Sequence, residues 1–241
     1  MATYESKGII FRNIKYGESS IICDIYTEDK GLRSFIVSGV RNTKSKSAAS
    51  IYRPLHMVQF TAYDSGPGKL ARIKEIHFDH VFQHINIHVI RSGMALFMLE
   101  IARNALRTDE ADSEIFWFLR NKLIALDSGD QISPLFHIKF MIELSHILGF
   151  GPLPNRNENT VIFDLLNGQF DIEGEVIQYR MDKEVSHHFF TLLECETEKI
   201  GELQIPKIIR LQMLDDLITY FRLHVPGFKE VMSKDVLMKI L

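Results

Sequence analysis

Ser20-Ile21-Ile22-Cys23-Asp24-Ile25-Tyr26-Thr27, followed by Glu28-Asp29-Lys30-Gly31 and then Leu32-Arg33-Ser34-Phe35-Ile36-Val37-Ser38, is the stretch that decides the fold. Ile, Val, Phe and Tyr dominate the two outer segments, and the Asp-Lys-Gly centre is turn chemistry, so the stretch predicts a β-hairpin. Working outward, Lys7–Arg12, Leu55–Tyr63 and Lys69–Phe78 have the same extended composition. Tyr16-Gly17-Glu18-Ser19 links the first two strands, and Asp64-Ser65-Gly66-Pro67-Gly68 is a strong turn between the last two. Five short strands in this order predict a small closed barrel. The five-stranded OB-fold suits it, and an SH3-like barrel fits the count almost as well.

Beyond residue 80 the hydrophobic period lengthens. Met94, Phe97, Met98, Ile101, Ala102 and Ala105 form one stripe of a helix over about 88–107. Phe116, Leu119 and Leu123 mark a second helix, with Ser113 as the expected N-cap and Ser128-Gly129 at its end. Ile138, Met141, Ile142, Ser145 and Leu148 mark a third, opened by Ser133-Pro134 and closed by Gly149. Val161–Phe163 and Gln169–Asp171, joined through Asn167-Gly168, read as a small hairpin. A fourth helix is expected near 183–196 and a fifth along Leu211, Leu214, Leu217, Ile218 and Phe221, with a short mixed tail after Pro226-Gly227. The predicted class is α+β: a barrel domain over residues 1–80, then a mostly α-helical domain over 81–241.

Of the 241 residues 46% are hydrophobic and 24% charged, an ordinary globular balance. No apolar run approaches the roughly 18 residues of a membrane span, and the opening residues carry Glu5 and no signal-like apolar stretch. Cys23 and Cys195 are too few and too far apart for a disulfide scaffold or a four-cysteine zinc site. These features predict a cytoplasmic protein with reduced thiols. The net charge of −3 hides an asymmetry: residues 1–80 hold 12 Lys and Arg against 8 Asp and Glu, while 81–241 hold 16 against 23. Two surfaces of opposite sign imply different partners, one of them a polyanion.

No Walker loop, G-x-G-x-x-G, H-E-x-x-H or G-x-S-x-G element is present, so no catalytic site and no cofactor are expected. His77, His80, His84 and His88 invite a zinc reading, but they straddle the change from strand to helix and read better as polar junction residues. Cys23, between Ile22 and Ile25, reads as a small core residue. The sharpest feature is Gly39–Arg53, where Arg41, Lys44, Lys46 and Arg53 stand among small polar residues without one acid. Such a loop can approach a phosphate backbone and displace its counterions; the bland alternative is a solvated loop on a barrel. Arg12, Arg33, Lys69 and Arg72 on neighbouring strands would extend the patch, and Tyr16, Tyr52 and Tyr63 are candidate base-stacking faces or half-buried packing.

In order along the chain, Gly8-Ile9-Ile10-Phe11-Arg12, Tyr16-Gly17-Glu18-Ser19-Ser20, Asp24–Thr27, Lys30-Gly31-Leu32-Arg33, Ser38-Gly39-Val40-Arg41 with Lys44-Ser45-Lys46, Pro54-Leu55, Lys74–Ile76, Phe140 through Leu148-Gly149-Phe150 and Pro152, Tyr220–His224 and Lys234–Leu237 resemble the bacterial RecO family of DNA repair proteins. The resemblance implies an N-terminal OB-fold and a C-terminal helical domain. It implies a recombination mediator without turnover that binds single- and double-stranded DNA and anneals complementary strands. With RecR it would help load recombinase onto single strands coated by single-strand-binding protein, whose acidic-hydrophobic tail it would contact. For that tail the expected cation is Lys139, from a basic residue frequent there in the family, with a solvent-facing lysine as the alternative. Many members carry a four-cysteine zinc element after the Leu-Gly-Tyr/Phe helix. Here Pro154-Asn155-Arg156-Asn157 stands in its place, so zinc is expected to be absent from the hairpin element near 150–172, with Phe163 and Phe170 packing it instead. From the residues alone, the competing functions are a protein–protein adaptor whose barrel binds no nucleic acid and a small hydrolase, for which no nucleophile–base pair is in sight.

Overall fold

The computed structural model describes residues 2–40, 50–66, 69–106, 111–128, 132–173 and 178–241. The chain divides into two compact units, Met1–Leu99 with Leu106–Ser128, and Glu100–Ala105 with Gly129–Leu241.

In the first unit, β1 (Thr3–Tyr16), β2 (Ser20–Thr27), β3 (Gly31–Val37), β4 (Met57–Tyr63) and β5 (Ala71–His80) close into a barrel of order β1-β2-β3-β5-β4. This is the OB-fold alternative of the sequence reading. β1 runs well beyond the predicted Lys7–Arg12 because it serves two neighbours: Thr3–Ile9 pairs with β4 and Gly8–Tyr16 with β2. A register shift between Ile10 and Arg12 bends it from one to the other. At the crossing, a Cβ on Gly8 would lie 2.3 Å from Ile25, so only glycine fits. β4 begins at Met57 and not at Leu55, because Leu55 takes a left-handed φ of 77° that breaks the extended backbone. Ile10, Cys23, Ile25, Phe35, Val58, Phe60 and Ala71 fill the interior. Burial, and secondarily the adjacent Asp24, pushes the Cys23 thiol up to about 12, so it is an inert core group.

α1 (Val89–Ala105) and α2 (Ser113–Ser128) follow. The cap of α2 is Asp112 and not Ser113: its Oδ1 accepts the N–H groups of Glu114 at 2.9 Å and Ile115 at 3.2 Å. At the other end, Asp127 is buried and its carboxylate accepts the backbone N–H groups of Gln83, His84 and Ile85 at 2.8–2.9 Å. Its carbonyl accepts His84 Nδ1 at 2.7 Å and Arg91 Nη1 at 2.6 Å. The strand-to-helix junction is therefore tied down by one residue of α2. His84 is engaged there, its ring stacked on His88 at 5.6 Å, while His77 and His80 lie on β5, so the four do not share a helix face.

The second unit holds α3 (Phe136–Ile147), the hairpin β6 (Thr160–Asp164) and β7 (Gln169–Ile172), α4 (Lys183–Glu194), a 3₁₀ turn (Thr197–Glu202), α5 (Lys207–His224) and α6 (Ser233–Ile240). Gly149, at φ 83°, ends α3 as expected, with Phe150 N–H donating to the Ser145 carbonyl. Phe163 and Phe170 are fully buried with ring centroids 5.1 Å apart, and Phe163 continues onto Phe189 at 4.7 Å. The turn needs Gly168, at φ 67°, since a Cβ there would meet the Tyr220 hydroxyl at 2.8 Å. Asn155 acts as a strand mimic. Its amide donates to the Phe170 carbonyl at 3.0 Å and accepts the Phe170 N–H at 2.7 Å. Asn157 Oδ1 likewise accepts the N–H groups of Asn159 and Thr160. The tail, mixed in composition, contains α6. Its start is capped from afar by Glu100, which accepts the N–H groups of Met232 at 2.9 Å and Ser233 at 2.8 Å.

Candidate nucleic-acid interface

Strand parity on the barrel builds one outward face from β1, β2, β3 and β5. Cys23 and Phe35 point into the core, so Ile22, Asp24, Ser34 and Ile36 point out. Two rows cross the strands there. Arg12, Asp24 and Ser34 are successive partners in one; Ile14, Ile22, Ile36 and Arg72 are successive partners in the next. Tyr16 continues β1 beyond the second row and is 51% exposed, while Ile14 is 44% exposed. The face is thus a partly exposed apolar shelf of isoleucines, Ile22 and Ile36 half-buried, with an aromatic ring at one end and guanidinium groups of Arg12 and Arg72 on its borders. Sugars and bases can pack on such a shelf while the cations meet phosphates. Lys69 and the 42% exposed Leu70 stand in the β4–β5 connection that leads onto the face through Arg72. Arg53 is exposed beside β1: the preceding carbonyl, of Tyr52, accepts Asn13 Nδ2 at 2.6 Å.

The family models and the curated relatives agree with this fold. Residues 1–82 match the model for the N-terminal part of recombination protein O, and residues 89–166 match that for its C-terminal part. The DNA repair protein RecO of Christiangramia forsetii is 30% identical over 236 residues, covering 98% of each chain. Those of Phocaeicola vulgatus and Flavobacterium psychrophilum are 29% and 28% identical, covering 97% and 98% of each chain. The chain belongs to the RecO family. It is accordingly a DNA repair and recombination mediator.

Against this RecO-family barrel, the sequence-predicted residues fall into three groups. Arg12, Arg53, Lys69 and Arg72 are exposed on or beside the face. Arg41, Lys44 and Lys46 lie outside the described residues. Arg33 is a correction: it is 6% exposed, and its guanidinium donates to the Gly66 carbonyl, so it braces the β4–β5 turn and is not offered to phosphate. Tyr52 is likewise a core residue, its hydroxyl pushed up to about 12 by burial, and Tyr63 pairs with Thr3 on the far side of the barrel. Of the three tyrosines, Tyr16 alone keeps an open ring on this face.

Lys139 is the second correction. It is 7% exposed, and its Nζ donates to the carbonyls of Leu192 at 3.1 Å, Leu193 at 3.2 Å and Cys195 at 2.6 Å. These are the closing carbonyls of α4, where a cation also meets the negative end of the helix dipole. Lys139 is a helix cap and is not available to an acidic peptide. The isoleucine shelf and Asp24 carry no motif of their own; period-two parity around Cys23 is the signal that reveals them.

Proposed function

We propose that this RecO-family chain binds single- and double-stranded DNA on the β1–β2–β3–β5 face, anneals complementary strands, and acts in the cytoplasm without turnover chemistry. The observation that carries it is the outward row of exposed Ile14 and half-buried Ile22 and Ile36, with Tyr16 at its end and Arg12 and Arg72 at its borders. An apolar surface bordered by cations suits a polyanion with flat bases and suits an acidic protein less well. The basic loop adds phosphate contacts. Replacing Arg41, Lys44 and Lys46 together by Ala should flatten the dependence of log affinity on log salt by roughly two units on single strands, at about 0.7 per contact. Fluorescence anisotropy of a labelled oligothymidine at several salt concentrations measures this. An unchanged slope in the folded variant removes the loop from the interface.

RecR and single-strand-binding protein are the partners in this reading, with the mediator helping recombinase onto coated strands. With Lys139 buried, we place the acidic-hydrophobic tail at a notch in the second unit lined by Pro134, His137, Lys207, Arg210, Leu211, Leu214 and Leu241. The first turn of α5 carries no acid there, and Pro206 offers no side-chain cap, which leaves the helix end open to a carboxylate. Among the described residues, Arg210 Nε has no acceptor although it is shielded from solvent. Arg210→Glu should weaken a peptide of the tail at least tenfold, read by anisotropy, and leave oligothymidine binding unchanged. Equal peptide affinity removes the notch from the reading.

A further inference from the structure

An acid stands in the middle of a face assigned to a polyanion. Asp24 is 4% exposed, and its neighbours across the strands are Arg12 and Ser34. One carboxylate oxygen accepts Arg12 Nε at 2.6 Å and the other accepts the Ser34 hydroxyl at 2.6 Å. The Arg12 side chain is 45% exposed while that of Asp24 is 5% exposed, so the acid lies beneath and the guanidinium above. Among the described residues, Nε is the guanidinium nitrogen that has an acceptor. The register shift just before Arg12 sets its side chain on this face.

We propose that Asp24, held by Ser34, is a positioning residue that aims Arg12 at the DNA backbone. An unrestrained arginine must lose rotamer entropy when it grips a phosphate. Fixing Nε removes that loss in advance and turns the two terminal nitrogens outward as a fork that matches two phosphate oxygens. Asp24 therefore has opposed effects on binding: its charge repels the strand, and its grip orders the residue that holds the strand. The buried carboxylate is already neutralised by Arg12 and a hydroxyl, so its repulsion is that of a compact dipole and falls off steeply. The ordering effect wins. This inference rests on the DNA-binding reading above.

The test is a double-mutant cycle on Arg12 and Asp24, read as oligothymidine affinity near physiological salt with melting temperatures recorded for each variant. Asp24→Asn removes a negative charge with almost no change of shape, so simple electrostatics requires tighter binding. Positioning requires binding weaker by about three- to tenfold, the loss from one charge-assisted contact. In the Arg12→Ala background the loss caused by Asp24→Asn should disappear, since no guanidinium remains there to be positioned. Ser34→Ala, a partly exposed change that leaves the Arg12–Asp24 pair in place, should weaken binding by a smaller factor and guards against a folding defect in Asp24→Asn. Arg12→Lys should fail to restore wild-type affinity, since an ammonium has no fork. Tighter binding by Asp24→Asn in the otherwise wild-type chain, or the same effect in both backgrounds, overturns the proposal. If Arg12→Ala is silent while Arg72→Ala weakens binding, the face stands and positioning fails. If both are silent, the DNA-binding reading of the face fails with it.

Discussion

Lys139→Glu is expected to lower the melting temperature of the second unit by roughly 10 °C or more. The wild-type ammonium satisfies three carbonyls at the end of α4. A carboxylate in the same 7% exposed position meets those oxygens without a proton to donate. Removing one partner of a buried charged contact costs about 3–5 kcal/mol, and reversing its sign costs more. In a chain of this size each kcal/mol corresponds to about 2–4 °C. Lys139→Met, which keeps the stem and loses the donors, should fall between. Thermal unfolding followed by circular dichroism decides it, and a Glu variant that melts with the wild type would mean the cation is not holding α4.

Asp127→Ala should cost about 2–4 kcal/mol, because three backbone N–H groups lose a charged acceptor in a place largely closed to water. The same carboxylate sets an acid limit. Burial pushes its pKa up, but the N–H groups of Gln83, Ile85 and His84, with the His84 ring, outweigh burial and hold it below its ordinary 3.8. A carboxyl depressed in the folded state gives stability that is fully present above its unfolded value and lost as pH falls through the folded one. The gap in unfolding midpoint between the wild type and Asp127→Asn should therefore be widest near neutrality and close below about pH 4. Denaturant titrations across that range check it. A gap independent of pH would show that shape and not charge is what Asp127 supplies.

The barrel was legible because each strand carries its own signal, and so were α3 and the Phe163–Phe170 hairpin. What escaped were contacts made from a distance. Lys139 sits on a helix whose periodicity says nothing about the end of another helix arriving from residues 192–195. Arg33 was grouped with the surface cations although it shares inward parity with Phe35 and Val37; the Gly66 carbonyl it reaches belongs to another turn. α6 has Leu237 as its buried anchor and takes its cap from Glu100, so little in its own residues announces a helix. At α2 the signal was present and misplaced by one residue, since Asp and Ser are comparable caps and stand side by side. The face itself was half read. Its cations follow from charge, while its isoleucines carry no signal of their own because isoleucine looks the same on either side of a sheet.

The barrel is sealed where β3 and β5 run parallel through just two registered pairs, Phe35 with Ala71 and Ile36 with Arg72. Every other seam is an antiparallel ladder of at least six pairs. The parallel seam joins segments far apart in the chain with few contacts to reward the loop they close, so it zips late in folding. Arg72 reaches the isoleucine row only through that closure. A chain that has formed its hairpins but not its final seam therefore lacks the Arg72 border of that face, and the proposed DNA surface is complete only in the finished barrel.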